Sequence, residues 1–359
     1  WPTGVDSGLV SLSKGRWFRG LRARPCRESR WRVDPSVLNI TIYRGRDMIR
    51  AGRLIALIAG FLLLLMVFPL AANAADTSGQ RLPATAAQHE TSAAIMARQA
   101  VAPPRQPRPD RELESPDRRH LPQNPDAPAI SQYPPADPRA PVLPGPAIHT
   151  TSLAFDGPTL TDTGAFPPDS MGAVGPTQFI TFVNGRLRTF TKAGVADGVL
   201  DVDPDVFFAS VTTPVSPPVV LDFTSDPQIR YDRVTGRWFL LIIDVPCTNA
   251  GCSTTAANRV MIAVSDAASN GTISGSTVWT FFYFVGSAGS DFLDYPALGI
   301  DVNALYIGGN MFSNAGSFVG TNGYVVQKAS ILGAGPIVTT AFANLAVGAG
   351  AGPYTPRGV

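Results

Sequence analysis

A unit that occurs three times in the second half of the chain is the feature that most constrains its fold. Each copy has an Asp, a short semi-apolar piece and then a strand-like run that opens 10 to 12 residues after the Asp. The Asp residues are Asp169, Asp226 and Asp294. Their intervals of 57 and 68 residues each have room for about four short strands. The repeat therefore predicts a series of four-stranded antiparallel sheets.

Residues 151–359 show short apolar runs that alternate with turn signals, without a sustained helical period. This pattern is typical of an all-β fold. The predicted strands are 179–183, 187–191, 228–232, 238–243, 259–265, 278–285, 304–308, 324–327 and 337–342. Because a closed propeller typically needs four to eight blades, we expect a partial β-propeller of about three blades, with its C-terminal blades missing.

Three segments carry a resemblance to a group of secreted bacterial surface proteins with a propeller-like region. They are 166–176, 225–232 with Arg237-Trp238, and 294–299. The resemblance spans roughly residues 160–312 and implies a secreted β-propeller related in shape to sialidase-type propellers. It implies no established activity, so no catalytic residue is carried over. The chain also lacks a clean Asp-box, because an insertion separates Ser265-Asp266 from the run that ends at Trp279.

The first 74 residues favour an export signal. The chain begins at Trp1 and its first Met is Met48, so residues 1–47 are interpreted as a non-native upstream extension. Residues 48–74 have basic residues, an apolar run over 54–70 and Ala72-Asn73-Ala74 at the cleavage position. This order is typical of a secretory signal peptide. An uncleaved membrane anchor is the alternative, since 17 apolar residues are at the lower limit for spanning a bilayer.

Residues 75–150 are predicted to be a disordered, Pro-rich linker, with a short helix over residues 86–100 as a further possibility. Fourteen Pro fall between Pro103 and Pro146, and such a segment buries too little apolar surface to offset its ordering entropy. Residues 1–150 hold 20 of the 29 Lys and Arg, whereas residues 151–359 have a net charge of −6. The basic overall composition therefore does not indicate a nucleic-acid-binding domain.

The chemistry available after residue 150 is narrow, because that part of the chain contains neither His nor Glu. A Ser-His-Asp triad and a His-based zinc site are therefore excluded within it. Asp, Tyr, Arg and backbone groups remain. They suit a pair of carboxylates for glycoside chemistry, a Ca²⁺ site, or plain ligand binding.

The repeated Asp169, Asp226 and Asp294 are the catalytic candidates. In a propeller, equivalent positions meet at one end of the axis, so these carboxylates could form a shared polar cavity. The interpretation we favour is that each one caps a turn before an inner strand. Arg186, Arg230 and Tyr295 are candidates for ligand binding. For the arginines, including Arg188 and Arg237, exposure on alternating strands is the simpler explanation.

Two further sites are suggested by local spacing. Asp201, Asp203 and Asp205 suggest Ca²⁺, although they lack the Gly and the distal Glu of an EF-hand loop, and a solvated acidic turn is the favoured alternative. No other cofactor is indicated. Cys247 and Cys252 are predicted to form a disulfide, because export to an oxidising compartment favours the bond.

Together these features predict a secreted, periplasmic or cell-surface binding or structural protein. Glycans or surface proteins are the expected partners, nucleic acid is not, and membrane contact is expected only through the signal segment. The alternative is a secreted glycan-active hydrolase or lyase that uses Asp carboxylates.

Overall fold

The computed structural model describes residues 78–105, 108–109, 113, 153–345 and 353–357, all of which belong to one compact unit. The structure is mostly β, with several antiparallel sheets and none of them closed. This confirms the predicted all-β class. The predicted extension and signal segment, residues 1–47 and 48–74, lie outside the described residues.

Fourteen strands and four short helices make up this part of the chain. The strands are β1 (Gln80–Arg81), β2 (Gln88–Thr91), β3 (Met171–Val174), β4 (Gln178–Val183), β5 (Arg186–Thr191), β6 (Ala196–Val202), β7 (Thr224–Asp232), β8 (Arg237–Asp244), β9 (Arg259–Ser265), β10 (Val278–Val285), β11 (Phe292–Ile300), β12 (Ala304–Phe312), β13 (Phe318–Gln327) and β14 (Thr339–Phe342). The helices are α1 (Ser92–Val101), α2 (Leu160–Thr163), α3 (Pro204–Phe207) and α4 (Lys328–Leu332).

Twelve of these strands form three sheets in which chain neighbours pair with one another. The first sheet has the order β3-β4-β5-β6, the second runs from β7 to β10, and the third runs from β11 to β14. Every pairing is antiparallel. Each interval between the repeated Asp residues therefore contains four consecutive strands of one antiparallel sheet, and β1 and β2 add a fifth strand to two of the three sheets.

The segment from β1 to α1, residues 80–101, is a belt along the outer side of all three sheets. Strand β1 pairs with β14 of the third sheet, and β2 pairs with β10 of the second. Helix α1 lies beside β6 of the first sheet, where Met96 Sδ accepts a hydrogen bond from the Asp201 N–H. The prediction of a disordered linker over residues 75–150 is therefore wrong for the described residues 78–105.

The second sheet is buried on both faces. Along β8, Trp238, Leu240 and Ile242 belong to one apolar cluster, which they share with the first sheet and with Ile95 of α1. The intervening Phe239, Leu241 and Ile243 belong to a second cluster, which they share with the third sheet. Successive side chains of a strand point to opposite faces. A strand between two sheets therefore reads as a continuous apolar run, not as an alternating one.

A buried ion pair joins the second and third sheets. Lys328 Nζ, at the start of α4, lies 2.6 Å from Asp232 Oδ2 at the end of β7, and the two side chains are 1% and 8% exposed. Lys328 also donates to the Asp301 carbonyl oxygen at 2.7 Å. Burial acts to raise the pKa of Asp232, but hydrogen bonds from Lys328, Thr235 and Val234 hold it below its ordinary value.

The predicted disulfide is present. Cys247 and Cys252 are bonded, with their Cα atoms 4.8 Å apart. Both side chains are fully buried in the apolar cluster between the second and third sheets. The bond therefore closes the loop after β8 against the core. Within the described part of the chain, no helix has the length and apolar character needed to cross a membrane.

Candidate functional site

The three repeated aspartates line one cavity of about 310 Å³. Asp226 lies in β7, Asp294 lies in β11 and Asp169 precedes β3 by two residues. The first strands of the three sheets adjoin one another, β3 beside β7 and β7 beside β11. The cavity, called here the three-aspartate cavity, therefore forms where consecutive sheets meet, and it is large enough for a small ligand.

A chain of hydrogen bonds crosses the three sheets at this cavity. Asn184, which follows β4, donates from Nδ2 to Asp169 Oδ2 at 2.7 Å. Its Oδ1 accepts the Asp226 N–H at 2.9 Å. Asp226 Oδ2 in turn accepts the Tyr295 N–H of the third sheet at 3.1 Å. Asp226 thus binds the backbone of the next sheet, not its own turn, and the favoured interpretation of separate turn caps does not describe it.

The backbone at these positions is left-handed in three non-glycine residues. The φ angles are 40° at Asp169, 59° at Asp226 and 48° at Tyr295. Asp226 in the second sheet and Tyr295 in the third sheet each precede a Pro and lie at an interruption of the strand register. The structural equivalent of Asp226 is therefore Tyr295, and Asp294 lies one residue earlier. Such strained residues cluster at functional sites.

Burial raises the pKa of Asp226 well above its ordinary value, and the nearby Asp294 and Asp169 raise it further. The cavity therefore brings a buried carboxyl group with a raised pKa close to two further carboxyl groups.

The rest of the lining combines aromatic rings with two arginines. Phe166 is 82% exposed at the rim, and Tyr295 is 36% exposed. Phe223 and Phe292 are buried and form part of the apolar wall. Arg105, Arg108, Pro109 and Leu113 line the cavity from the Pro-rich segment that follows α1. A largely apolar wall with a few convergent polar groups is typical of ligand sites.

The structure gives the other binding candidates partners outside this cavity. Arg186 and Arg188 both donate to Asp201 Oδ1, at 2.6 and 2.8 Å. Arg230 donates to the Ile229 carbonyl oxygen, and burial lowers its pKa, as does the nearby Arg357. Of the three candidates for ligand binding, Tyr295 lies at the cavity and the two arginines do not line it.

The three candidates for Ca²⁺ ligands pair with different arginines. Asp201 forms ion pairs with Arg186 and Arg188, and Asp205 forms one with Arg108. Asp203 forms an ion pair with Arg105, in which Oδ1 lies 2.6 Å from Nη1. Asp203 is also the N-cap of α3. Within the described residues, no group of three or more His, Cys, Asp or Glu side chains could hold a metal ion.

A second acidic cluster lies at a cavity of about 420 Å³ lined by Asp205, Asp222 and Arg259. Asp222 Oδ1 is buried and has no hydrogen-bond partner. Burial, with Asp244 and Asp205 nearby, raises the pKa of Asp222 to about 9. Burial also raises the pKa of Asp244 to about 6, although the Arg259 and Thr213 N–H groups bind its carboxylate.

Asp222→Asn is expected to stabilise the protein above neutral pH. Between about pH 4 and pH 9 the folded state keeps a proton on Asp222 that the unfolded state releases, so Asp222 lowers the free energy of unfolding as the pH rises. An amide needs no such proton. We expect a gain on the order of 2 kcal/mol at pH 8 that vanishes towards pH 4, measured by urea unfolding across this range.

The control for this substitution is Asp156→Asn, which changes an exposed carboxylate. It should leave the pH dependence of unfolding as it is in the parent chain. Parallel pH profiles for the parent chain and Asp222→Asn would show that Asp222 is ionised in the folded protein, and would contradict the assignment.

Sequence reasoning missed Asn184, Phe166, Arg105 and Arg108. The two arginines were assigned to the linker, and an Asn in a tight turn after a strand is usually structural. The belt also adds a His and a Glu to a fold expected to contain neither. His89 is exposed on β2, where its Nδ1 lies 3.2 Å from Thr280 Oγ1, and it does not line the three-aspartate cavity.

No protein-family model, no curated protein and no solved structure matches this chain.

Proposed function

We propose that this chain is a secreted or cell-surface binding protein, built on a β-propeller-like arc, that holds a glycan in the three-aspartate cavity. The observation that carries the proposal is the convergence of Asp169, Asp226 and Asp294, from three consecutive sheets, on one cavity with an aromatic rim. Four-stranded meanders whose first strands adjoin are the arrangement expected of propeller blades.

The Cys247–Cys252 bond supports export, because structural disulfides persist mainly in oxidising compartments. The apolar run at 54–70 is the segment that would direct it.

A glycan-active hydrolase is the second candidate, and the state of Asp226 favours it. A buried carboxyl group with a raised pKa can serve as a general acid at neutral pH. The hydrogen bonds from Asn184 to Asp169 and from the Tyr295 N–H to Asp226 argue for binding instead, because both carboxyl groups are then held by the protein itself.

Glycan binding without turnover is the expected result. The chain from residue 75 onward should be retained on an oligosaccharide array and should release no new reducing ends during prolonged incubation. Asp169→Asn should weaken retention by about tenfold, because it removes a charged acceptor from the cavity. Asp156→Asn, at an exposed carboxylate, is the matched control and should bind as the parent chain does.

Release of reducing ends that disappears in Asp226→Asn would establish the hydrolase instead. Retention that is equal in the parent chain and in Asp169→Asn would place the glycan outside the three-aspartate cavity.

A further inference from the structure

Phe166 is the most exposed aromatic side chain of the described residues, at 82%. Two other aromatic side chains are exposed in that part of the chain. Phe155, at 37%, packs against the rings of Phe179 and Phe190, with 5.6 and 5.1 Å between ring centroids. Tyr295, at 36%, lines the three-aspartate cavity together with Phe166. Two of the three exposed aromatic side chains therefore lie at this one cavity.

The loop that carries Phe166 is fixed at both ends. At its start, Gly164 closes helix α2 in the left-handed conformation, with a φ of 56°. At its end, Asn184 donates from its N–H to the Pro168 carbonyl oxygen at 2.8 Å and from Nδ2 to the Pro167 carbonyl oxygen at 3.0 Å. An aromatic ring presented on a fixed loop loses little conformational entropy when a ligand covers it.

Carboxyl groups line the same cavity as these two aromatic side chains. Asp169 follows Phe166 by three residues, and Asp294 adjoins Tyr295 in the sequence. Both Asp residues line the cavity, and both are half-buried, not enclosed by the fold. A carboxylate accepts up to about four hydrogen bonds. A ligand that covers the aromatic rings and carries hydroxyl groups therefore finds hydrogen-bond acceptors beside them.

A sugar ring fits this combination when one of its faces carries no axial oxygen atom. Equatorial hydroxyl groups project from the edge of the ring, so that the axial positions of such a face carry only C–H bonds. These hydrogen atoms bear a partial positive charge, because their carbon atoms are bonded to oxygen, and the face of an aromatic ring is negative. The C–H face packs on Phe166 while hydroxyl groups at the edge donate to Asp169 and Asp294. An axial oxygen atom on that face would hold the two rings apart.

We infer that the three-aspartate cavity binds glycans whose sugar rings have a face free of axial oxygen atoms, and that this face stacks on the ring of Phe166. This inference rests on the proposed function, since it specifies the class of glycan that the cavity binds. It concerns the shape of the sugar ring and is independent of the charge of the sugar.

The class of glycan is tested with β-linked glucose, β-linked galactose and α-linked mannose oligosaccharides of equal length. The β-linked glucose ring has only axial C–H bonds on both faces, the β-linked galactose ring has one face of this kind, and the α-linked mannose ring has an axial oxygen atom on each face. Binding of the glucose and galactose oligosaccharides, with at least tenfold lower affinity for the mannose oligosaccharide, is expected. Equal or tighter binding of the mannose oligosaccharide would overturn the inference and leave the proposed function intact. An array on which no glycan is retained would overturn both.

The role of the aromatic ring is tested by Phe166→Ala and Phe166→Trp. The first substitution removes the apolar surface and should weaken binding of the glucose oligosaccharide by at least tenfold. The second keeps an aromatic face and should retain the binding. Leu160→Ala is the matched control, because Leu160 is 63% exposed but does not line the cavity, and its affinity should equal that of the parent chain. Unchanged binding in Phe166→Ala would overturn the inference.

The ratio of the affinities for two oligosaccharides separates a direct contact from a structural effect. In Phe166→Ala, the affinities for the glucose and mannose oligosaccharides should approach each other, because the contact that distinguishes them is lost. The melting temperature of this variant should equal that of the parent chain, since the side chain that it truncates is mainly exposed. Affinities that fall by the same factor for both oligosaccharides would show a structural effect and would overturn the inference.

Discussion

Deletion of residues 78–101 is expected to abolish the folded, soluble monomer. These residues include the belt, residues 80–101, which covers the outer strands β14 and β10 and lies beside β6. Ile95 of the belt is fully buried, and Ser92 Oγ accepts a hydrogen bond from Trp279 Nε1 at 3.0 Å. Its removal exposes strand edges and apolar core together, and exposed edges pair with other chains. Size-exclusion chromatography should show aggregates in place of the monomer.

The matched control is a deletion of the same length, residues 120–143, from the Pro-rich segment. It removes no residue of the fourteen strands or four helices, so the monomer should persist. A belt-deleted chain that elutes as a monomer with an unchanged melting temperature would show that the three sheets are stable without the belt. In that case residues 75–150 would act as a linker after all.

Lys328→Met is expected to destabilise the fold by about 3–5 kcal/mol, because it leaves the buried carboxylate of Asp232 without its cation. For a domain of this size the melting temperature should fall by roughly 10 °C. The loss should shrink as the pH falls from 7 to 4, because a buried Asp carboxyl group without its cation takes up a proton above its ordinary pKa. Chemical unfolding at pH 7 and pH 4 measures both effects.

The double variant Lys328→Met/Asp232→Asn separates the lost charge from lost packing. An Asn side chain carries no charge, and its single oxygen can still accept one of the two hydrogen bonds that Asp232 receives from the Val234 and Thr235 N–H groups. A large part of the lost stability should therefore return. Lys192→Met, at an exposed lysine, should change stability by less than about 0.5 kcal/mol. A double variant as unstable as Lys328→Met would locate the cost in packing instead.

The sheets were predictable because their strands carry a strong apolar signal. The runs at 259–265 and 278–285 coincide with β9 and β10 in full. Both strands are mainly buried, so their apolar side chains form a run that is recognisable as a strand from the sequence alone. The first strands, β3 and β11, were not predicted. Strand β11 contains Pro296 within a register interruption, and a Pro inside an apolar run argues against a strand when its backbone geometry is unknown.

The belt could not be predicted, because its strands carry no apolar pattern. Strand β2 reads Gln-His-Glu-Thr and is largely exposed. It is held by main-chain hydrogen bonds to β10, and any sequence without Pro can supply these. Edge strands of this kind are placed by the strand they join. The composition of residues 75–150 is typical of a disordered segment. The prediction drawn from it is nevertheless wrong for residues 78–105, which contain β1, β2 and α1.

The candidate site was predictable in part. Repeat spacing predicted that Asp169, Asp226 and Asp294 could meet, and all three line the cavity. The arginines of its wall follow the belt, so their position depended on the element that sequence analysis had missed. The sequence also could not show that Tyr295, and not Asp294, is the structural equivalent of Asp226. That equivalence is defined by the left-handed backbone at the two positions.

Asn184 imposes a restriction on how this chain can diverge during evolution. Its amide donates to Asp169 of the first sheet and accepts from the Asp226 N–H of the second. Among short side chains, only Asn offers a donor and an acceptor side by side on one planar group. A descendant that replaced Asn184 would need compensating changes in two sheets at once. In diverged relatives, the residues at positions 169, 184 and 226 are therefore expected to be inherited or replaced as one set.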